Sequence, residues 1–469
     1  MPRGSAAAQT GLDRLIAGYR PAPGVPDELL DASGAVRPVW QRFMQHLAGK
    51  DADTVSRMFA RGDAYLRSSG VFLRQYTNEK ATERPWPLSH VPVLIHEGEW
   101  ETIMAGLVER ADLLERVVAD IYGDNQLVRD GILPGDLIAQ SPEWVRGLVG
   151  VAPVSRRYLH FVAFEISRGP DGTWWVLNDR TQAPSGAGYA LENRVATSRV
   201  YSDFYADAQV RRVAGFFSDF RTALLDMRRS QDSHAAILTP GPFSETYFEQ
   251  SYIARYLGLL LVEGEDLVVN KGRVCVRTVS GLQPVDVLWR RLDTLFCDPL
   301  ELEESSQLGT PGLVNAVREG NVSVVNALGA GILESRALLA FLPRIARHLL
   351  GKPLSIPNIA TWWCGDDAAR AYVRDNLHRM LIAPALSVDL PFDSNSETVR
   401  GAEPELVDLL EHRAPDLVGQ EAVTLSTTPN WRETPDGPRL VPCPMTVRVF
   451  AARTPRGWTF MQGGYARIG

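Results

Sequence analysis

The chain is poor in cysteine and has no long apolar run. Its four cysteines, Cys275, Cys297, Cys364 and Cys443, are scattered over 469 residues with no C-x-x-C pair. That spacing argues against a zinc site and a disulfide framework. Unpaired thiols suit a reducing compartment, so a cytoplasmic location is expected. No apolar stretch approaches the roughly 20 residues of a membrane-spanning helix. The first residues, MPRGSAAAQTGLDRLIAGYR, lack the uninterrupted apolar segment of a signal peptide. Positive charge is not in excess: 49 Lys and Arg against 56 Asp and Glu leave a net charge of −7. Nothing in that balance drives nonspecific binding to nucleic acid. Neither a G-x-S-x-G elbow nor an H-E-x-x-H helix occurs, so hydrolase and metalloprotease readings lack support.

What is present is enough apolar residue, 45% of the chain, for more than one domain. Residues 1–150 read as mainly helical. In Glu99–Ile121, Met104, Leu107, Val108, Ala111, Leu114, Val117, Val118 and Ile121 recur at three- and four-residue steps, the signature of one apolar helix face. Gly123 is the expected left-handed cap after it. A second helix is expected over about Asp53–Leu66. Residues 151–233 begin with YLHFVAFEI and TWWVLN, joined by SRGPDG, a β-hairpin pattern. Residues 234–375 alternate strand, helix and strand, which argues for an open α/β layer whose strand ends gather ligands. Those ends carry Ser244, Glu245, Arg290, Arg291, Asp293 and Asn326. Thr246 and Glu249 have capping-box spacing at the start of the helix between the first two strands. Residues 376–469 end in VGQEAVTL, MTVRVFAART and GWTFMQGG, three antiparallel-strand patterns.

The polar residues crowd at the end of the hairpin. Glu165 lies near the end of its first arm and Asp179 just past its second. Arms sit about 5 Å apart, so in register on one face the two carboxylates could share a divalent cation. Solvated hairpin ends meet the same spacing. Pro184–Ser185–Gly186–Ala187–Gly188 has the composition to wrap an anion with backbone N–H groups, or to be an ordinary loop. Arg290–Arg291 with Asp293 suits either an acidic substrate or the capping of a sheet end. The tryptophan pairs Trp174–Trp175 and Trp362–Trp363 suit core packing.

DRTQAPSGAGYALENR, TPGPFSETYFEQSYIARYLG, LVEGEDL, GLQPVDVLWRRLD, FCDPLEL, PGLVNAVREGNVSVVNALGAGILES and ATWWCG together resemble the circularly permuted ATP-grasp family, type 2, from about Arg84 onward. This family is related to glutathionylspermidine-synthase-like carboxylate–amine ligases. The resemblance implies an α+β, α/β-containing permuted ATP-grasp fold: a metal-binding part at 151–233, a substrate layer at 234–375 and a nucleotide lobe at 376–469. It implies an ATP- and Mg2+-dependent ligase that makes an amide or peptide bond through an acyl phosphate. Its partners would be a small-molecule or peptide carboxylate and an amine, with a separate helical alpha-E protein as a further candidate. Glu165 and Asp179 would be metal ligands, and Arg448 would touch the transferred phosphoryl group with Arg180 as a second charge clamp. Gln420, Glu421 and Val423 would meet the nucleotide, and Ser185 and Gly186 would shape a phosphate loop. Glu245, Arg291, Asn326 and Arg194 would serve the substrate.

Two positions depart from the family pattern. The second hairpin arm reads Asn178–Asp179–Arg180 where ATP-grasp proteins carry Glu-x-Asn. The stretch Leu381–Ile382–Ala383–Pro384–Ala385 has a methyl group where V-I-K-P-A has a phosphate-binding cation. The loop after it lacks a glycine run, leaving Arg379 or Arg400 as replacement cations. These departures motivate a rival expectation: a catalytically degenerate ATP-grasp module that binds nucleotide, peptide or a protein partner.

Overall fold

A computed structural model describes residues 12–77, 80–389, 399–400, 404–435 and 437–469. The N-terminal part is built on helices Pro38–Ala48, Ala52–Ser68 and Glu97–Ile121. Asp51 starts the second by accepting the Thr54 N–H, the usual role of an aspartate at a helix entry. The third buries Leu107, Ala111, Leu114, Val117, Val118 and Ile121 of the face read from the spacing, leaves Met104 and Val108 partly buried, and also buries Ile103, Arg110 and Glu115. Gly123 is not its left-handed cap: Tyr122 closes the helix, and Asn125 takes the positive φ of 51°. Strands β1 (Phe72–Thr77) and β2 (Lys80–Pro85) add an antiparallel hairpin.

Strands β3 (Phe161–Arg168) and β4 (Trp174–Arg180) form the expected hairpin, with Gly172 at φ 79° in its turn. The α/β layer follows: β5 (His234–Leu238), β6 (Leu260–Val262), β7 (Leu267–Asn270), β8 (Arg273–Thr278), β9 (Gly281–Arg290) and β10 (Ser323–Val325). β6, β5, β9 and β10 are parallel, while β7 and β8 pair antiparallel at one side. A smaller antiparallel sheet has the order β11 (Thr361–Trp363), β14 (Leu417–Glu421), β12 (Met380–Pro384), β13 (Val399–Arg400).

The last strands, β15 (Thr427–Arg432), β16 (Arg439–Thr454) and β17 (Gly457–Ile468), do not join that smaller sheet. They return to the hairpin in the order β15-β16-β3-β4, with β17 on β16. The sheets therefore cut across the expected boundary at 376: β11 lies before it, and Arg448 belongs to the hairpin's sheet. The reason is that β16 is buried on both faces, so its pattern does not say which sheet it enters. Val447, Val449 and Ala451 pack into the cluster of helix Glu97–Ile121, and Phe450 and Ala452 pack with Phe216, Phe217 and Phe220 of helix Ala214–Asp226. All four cysteines are free and buried. Among the described residues no helix is long and apolar enough to cross a membrane.

Candidate functional site

The register of the hairpin decides which polar groups converge. Glu165 stands opposite Asn178, and Phe164 opposite Asp179. Opposed residues share a face and neighbours alternate. Glu165, Asn178 and Arg180 therefore look to one side of the sheet and Asp179 to the other. This overturns the expected joint grip of Glu165 and Asp179 on one cation. Residue counting along the hairpin could not reveal it, because a one-residue difference in register reverses the face.

Asp179 faces helix Glu97–Ile121, where Arg110 donates from Nε to Oδ1 at 2.7 Å and from Nη2 to Oδ2 at 2.6 Å. Both side chains are fully buried. Glu165 pairs instead with Arg448, directly opposite it on β16. Burial works against the charge of Arg448, but Glu165 beside it raises its pKa above the ordinary arginine value. Arg448 also donates from Nη1 to the Ser185 carbonyl at 2.7 Å. Arg180 reaches Glu334 at 3.4 Å, and Glu334 also accepts the N–H groups of Thr181 and Gln182.

The segment 184–188, a turn that enters helix Ala187–Val200, is held from three sides. Arg291 donates from Nη2 to the Pro184 carbonyl at 2.6 Å. Glu249 accepts the Gly186 N–H at 2.8 and 2.9 Å and the Gly188 N–H at 3.1 Å. Gly186 sits at φ 109°, where a side chain would be strained, and a Cβ there would lie 3.2 Å from the Phe450 ring. The backbone cradle expected to wrap a ligand anion is thus filled by the chain's own carboxylate. Glu249 is not a capping-box partner either, since Thr246 makes no side-chain cap bond. Glu249, Glu334 and Arg110 are the site residues that sequence reasoning missed.

Other expected positions separate. Asn326 receives the N–H groups of His160 and Phe161 and donates to the carbonyls of Phe161 and Thr181, so its amide is fully engaged in joining the layer to the hairpin. It is not free for substrate. Glu245 is exposed, ahead of helix Tyr247–Leu257, and Arg194 donates to the Arg211 carbonyl at 2.8 Å and the Tyr205 hydroxyl at 3.4 Å. Neither joins the cluster. Gln420 is buried and bonded to Thr361 Oγ1 at 3.1 Å, Glu421 lies 3.9 Å from Arg379, and Val423 packs partly buried against the main core. The backbone N–H of Ala422 is taken by the Arg379 carbonyl at 2.9 Å. Ala383 stands opposite Val418, both in the core. The glycine-run question concerns residues 390–398, which lie outside the described residues, as does the side chain of Arg400.

The metal expectation can be tested on the donors. The Arg448 side of the hairpin offers one carboxylate of its own, Glu165, whose Oε2 is buried without a partner. Its other oxygen is already neutralised by Arg448. Asn178 Oδ1 accepts the Asp179 N–H at 2.8 Å, and the third residue is a guanidinium. Among the described residues no group of three His, Cys, Asp or Glu could hold a metal ion. These residues thus make no protein-only cage for a divalent ion; what they offer Mg2+ is the single free oxygen of Glu165, with the remaining oxygens left to water and substrate phosphate.

A family model described as circularly permuted ATP-grasp type 2 matches residues 92–469. An uncharacterized protein of Mycobacterium tuberculosis (strain ATCC 25618 / H37Rv) is 34% identical over 499 residues, covering 100% of this chain and 55% of that protein. The chain thus spans about half the length of that relative. A second protein of the same strain is 32% identical, with 97% and 82% covered, and one of Synechocystis sp. is 31% identical, with 86% and 84% covered. Among solved structures, a glutathione synthetase-like effector from Globodera pallida in apo form aligns with a TM-score of 0.59 at 12% identity, covering 90% of this chain and 95% of that one. At that identity the likeness shows the fold.

Proposed function

The chain belongs to the circularly permuted ATP-grasp type 2 family, and from that premise we propose that it is an ATP-dependent carboxylate–amine ligase. The observation that carries this reading is the buried Glu165–Arg448 pair beside the loop 184–188. In the proposed reaction a substrate carboxylate attacks the γ-phosphorus of ATP, giving an acyl phosphate and ADP. An amine then attacks the acyl carbon and phosphate leaves. Both first reactants are anions, so the chain's task is to offset repulsion and hold them in line. Arg448, held rigidly by Glu165 and the Ser185 carbonyl, is placed to meet charge on the transferring group. Arg180, tethered to Glu334, is a second cation on the same face of the sheet. The nucleotide base would lie near Gln420, Glu421 and Val423. The substrates proposed are small molecules or peptides. No step is assigned to a metal.

The test is ADP release by the full chain with ATP and a library of carboxylate–amine pairs. Turnover that requires both an acid and an amine supports the reading. No release with any pair sinks it.

The buried methyl group of Ala383 favours a second reading, a module that binds a ligand without turnover. A lost charge-assisted contact is worth about 1.5–3 kcal/mol. Titration calorimetry separates the two. ATP binding without ADP release in the full library favours the inert module, and ADP release dependent on acid and amine excludes it.

A further inference from the structure

β9 ends at Arg290, and the fold treats this arginine and the next, Arg291, differently. Arg290 is fully enclosed and engaged three times, donating to the carbonyls of Asn326 at 3.0 Å, Leu292 at 2.8 Å and Ala327 at 3.2 Å. It caps the sheet end. Arg291 donates once, to the Pro184 carbonyl. Its Nη1 is buried and has no hydrogen-bond partner, although the side chain is only 9% exposed. The guanidinium lies over the Trp289 ring at 5.5 Å, and no carboxylate pairs with it among the described residues.

A buried cation with an unfilled donor is costly, and most such groups in folded proteins find an acceptor. Burial pulls the Arg291 pKa below the ordinary arginine value. Glu249 and Asp293 oppose that at longer range, while Arg290 and Arg448 add to it. The position is also informative. Arg291 follows the C-terminal end of a parallel strand, where open α/β sheets take their ligands. It holds the Pro184 carbonyl as Arg448 holds that of Ser185, so the open donor is one loop residue away from the Glu165–Arg448 pair.

We propose that Arg291 is the docking cation for a carboxylate, that of the acid substrate. This rests on the ligase reading. A carboxylate suits the site better than a phosphoryl group for two reasons. The neighbouring Glu249 carboxylate repels a dianion more than a monoanion. The arginine also belongs to the α/β layer rather than to the smaller sheet that carries Gln420 and Glu421.

The test uses the full chain and butyrate as probe, with inorganic phosphate and chloride as comparators at matched ionic strength. The readout is the saturable shift of the thermal unfolding midpoint. Butyrate is expected to raise the midpoint with half-saturation in the millimolar range, and phosphate is not. Arg291→Lys is expected to weaken the response roughly tenfold, since it keeps the charge and loses the planar fork. Arg291→Met is expected to abolish the response without lowering the ligand-free midpoint, because it removes an uncompensated buried charge. No butyrate response in the wild type overturns the inference, as does a response to phosphate instead. A lowered ligand-free midpoint in Arg291→Met with the butyrate response intact assigns the arginine to structure and overturns it too. The two readings fail separately. Absence of ADP release in the wild type removes the ligase and leaves a butyrate response standing. Equal butyrate responses in wild type and Arg291→Met remove the docking cation and leave ADP release standing.

Discussion

Arg110 and Asp179 meet in a two-pronged ion pair, at 2.7 and 2.6 Å, that ties helix Glu97–Ile121 to the back of the β3–β4 hairpin with both side chains fully buried. The carboxylate expected to grip a metal is instead the structural counter-charge of a helix. Removing one partner strands the other in a low-dielectric interior, at a cost of about 3–5 kcal/mol. Asp179→Ala should therefore lower the thermal midpoint sharply, and Arg110→Met with Asp179→Leu should recover most of the loss. Below its midpoint, Asp179→Ala should bind ATP as the wild type does. Loss of ATP binding in the folded variant would reinstate Asp179 as a ligand-side residue.

Glu165 and Arg448 face the other side of the same sheet and act as a unit. Glu165→Gln leaves Arg448 less firmly held, and Arg448→Lys loses the bond to the Ser185 carbonyl. Each should cut ADP release roughly ten- to a hundredfold, the equivalent of one charge-assisted hydrogen bond. The double variant should be little worse than the poorer single one, because contacting residues are not additive. Additive losses in a double-mutant cycle would show that the two work independently.

Ala383 offers a test of the departure from the family pattern. It sits opposite Val418, buried, on the wall of a cavity that also carries Arg413 and Asp416. Placing lysine at this 2% exposed position puts a charge where burial opposes it. Ala383→Lys should lower the thermal midpoint and leave ATP affinity unimproved. A calorimetric gain in ATP affinity would mean that the position still opens onto nucleotide.

His160 makes stability depend on pH. Burial, with Arg453 nearby, pushes its pKa down from 6.5 to about 4. The unfolded chain thus binds a proton that the folded chain refuses between these values. Folding is unaffected by this group above pH 6.5 and is progressively weakened as pH falls toward about 4. His160→Gln should flatten the fall of the unfolding midpoint across that window. An unchanged slope would show that other groups carry the acid sensitivity.

Much of the fold was legible. The helix ending at Ile121, the β3–β4 hairpin and the strand–helix–strand layer all follow from local periodicity and turn residues, which act over a few neighbours. Arg448 and Glu165 were singled out through the family resemblance, as a phosphoryl contact and a metal ligand; that they pair with each other was not legible. Glu249 was not, because its spacing from Thr246 is that of an ordinary helix cap, and only the packing of helix Tyr247–Leu257 against residues 186–188 turns it toward the loop. Arg290 and Arg291 were indistinguishable as neighbours in sequence. Their roles part at the strand end: Arg290, the last residue of β9, reaches the carbonyls of Leu292, Asn326 and Ala327, while Arg291 just beyond it reaches Pro184.

By itself the sequence determined the helix ending at Ile121, the β3–β4 hairpin, the strand–helix–strand layer, their order along the chain, and the gathering of charge at strand ends, but not the β1–β2 hairpin or helix Ala187–Val200. The legible features follow from side-chain size, polarity and backbone preference, each a local property. The tertiary structure alone decided which charges meet: Glu165 with Arg448 across 283 residues, Asp179 with Arg110 across 69. Such meetings depend on strand register and sheet membership, which long-range packing sets and where a shift of a single residue sends a side chain to the opposite face.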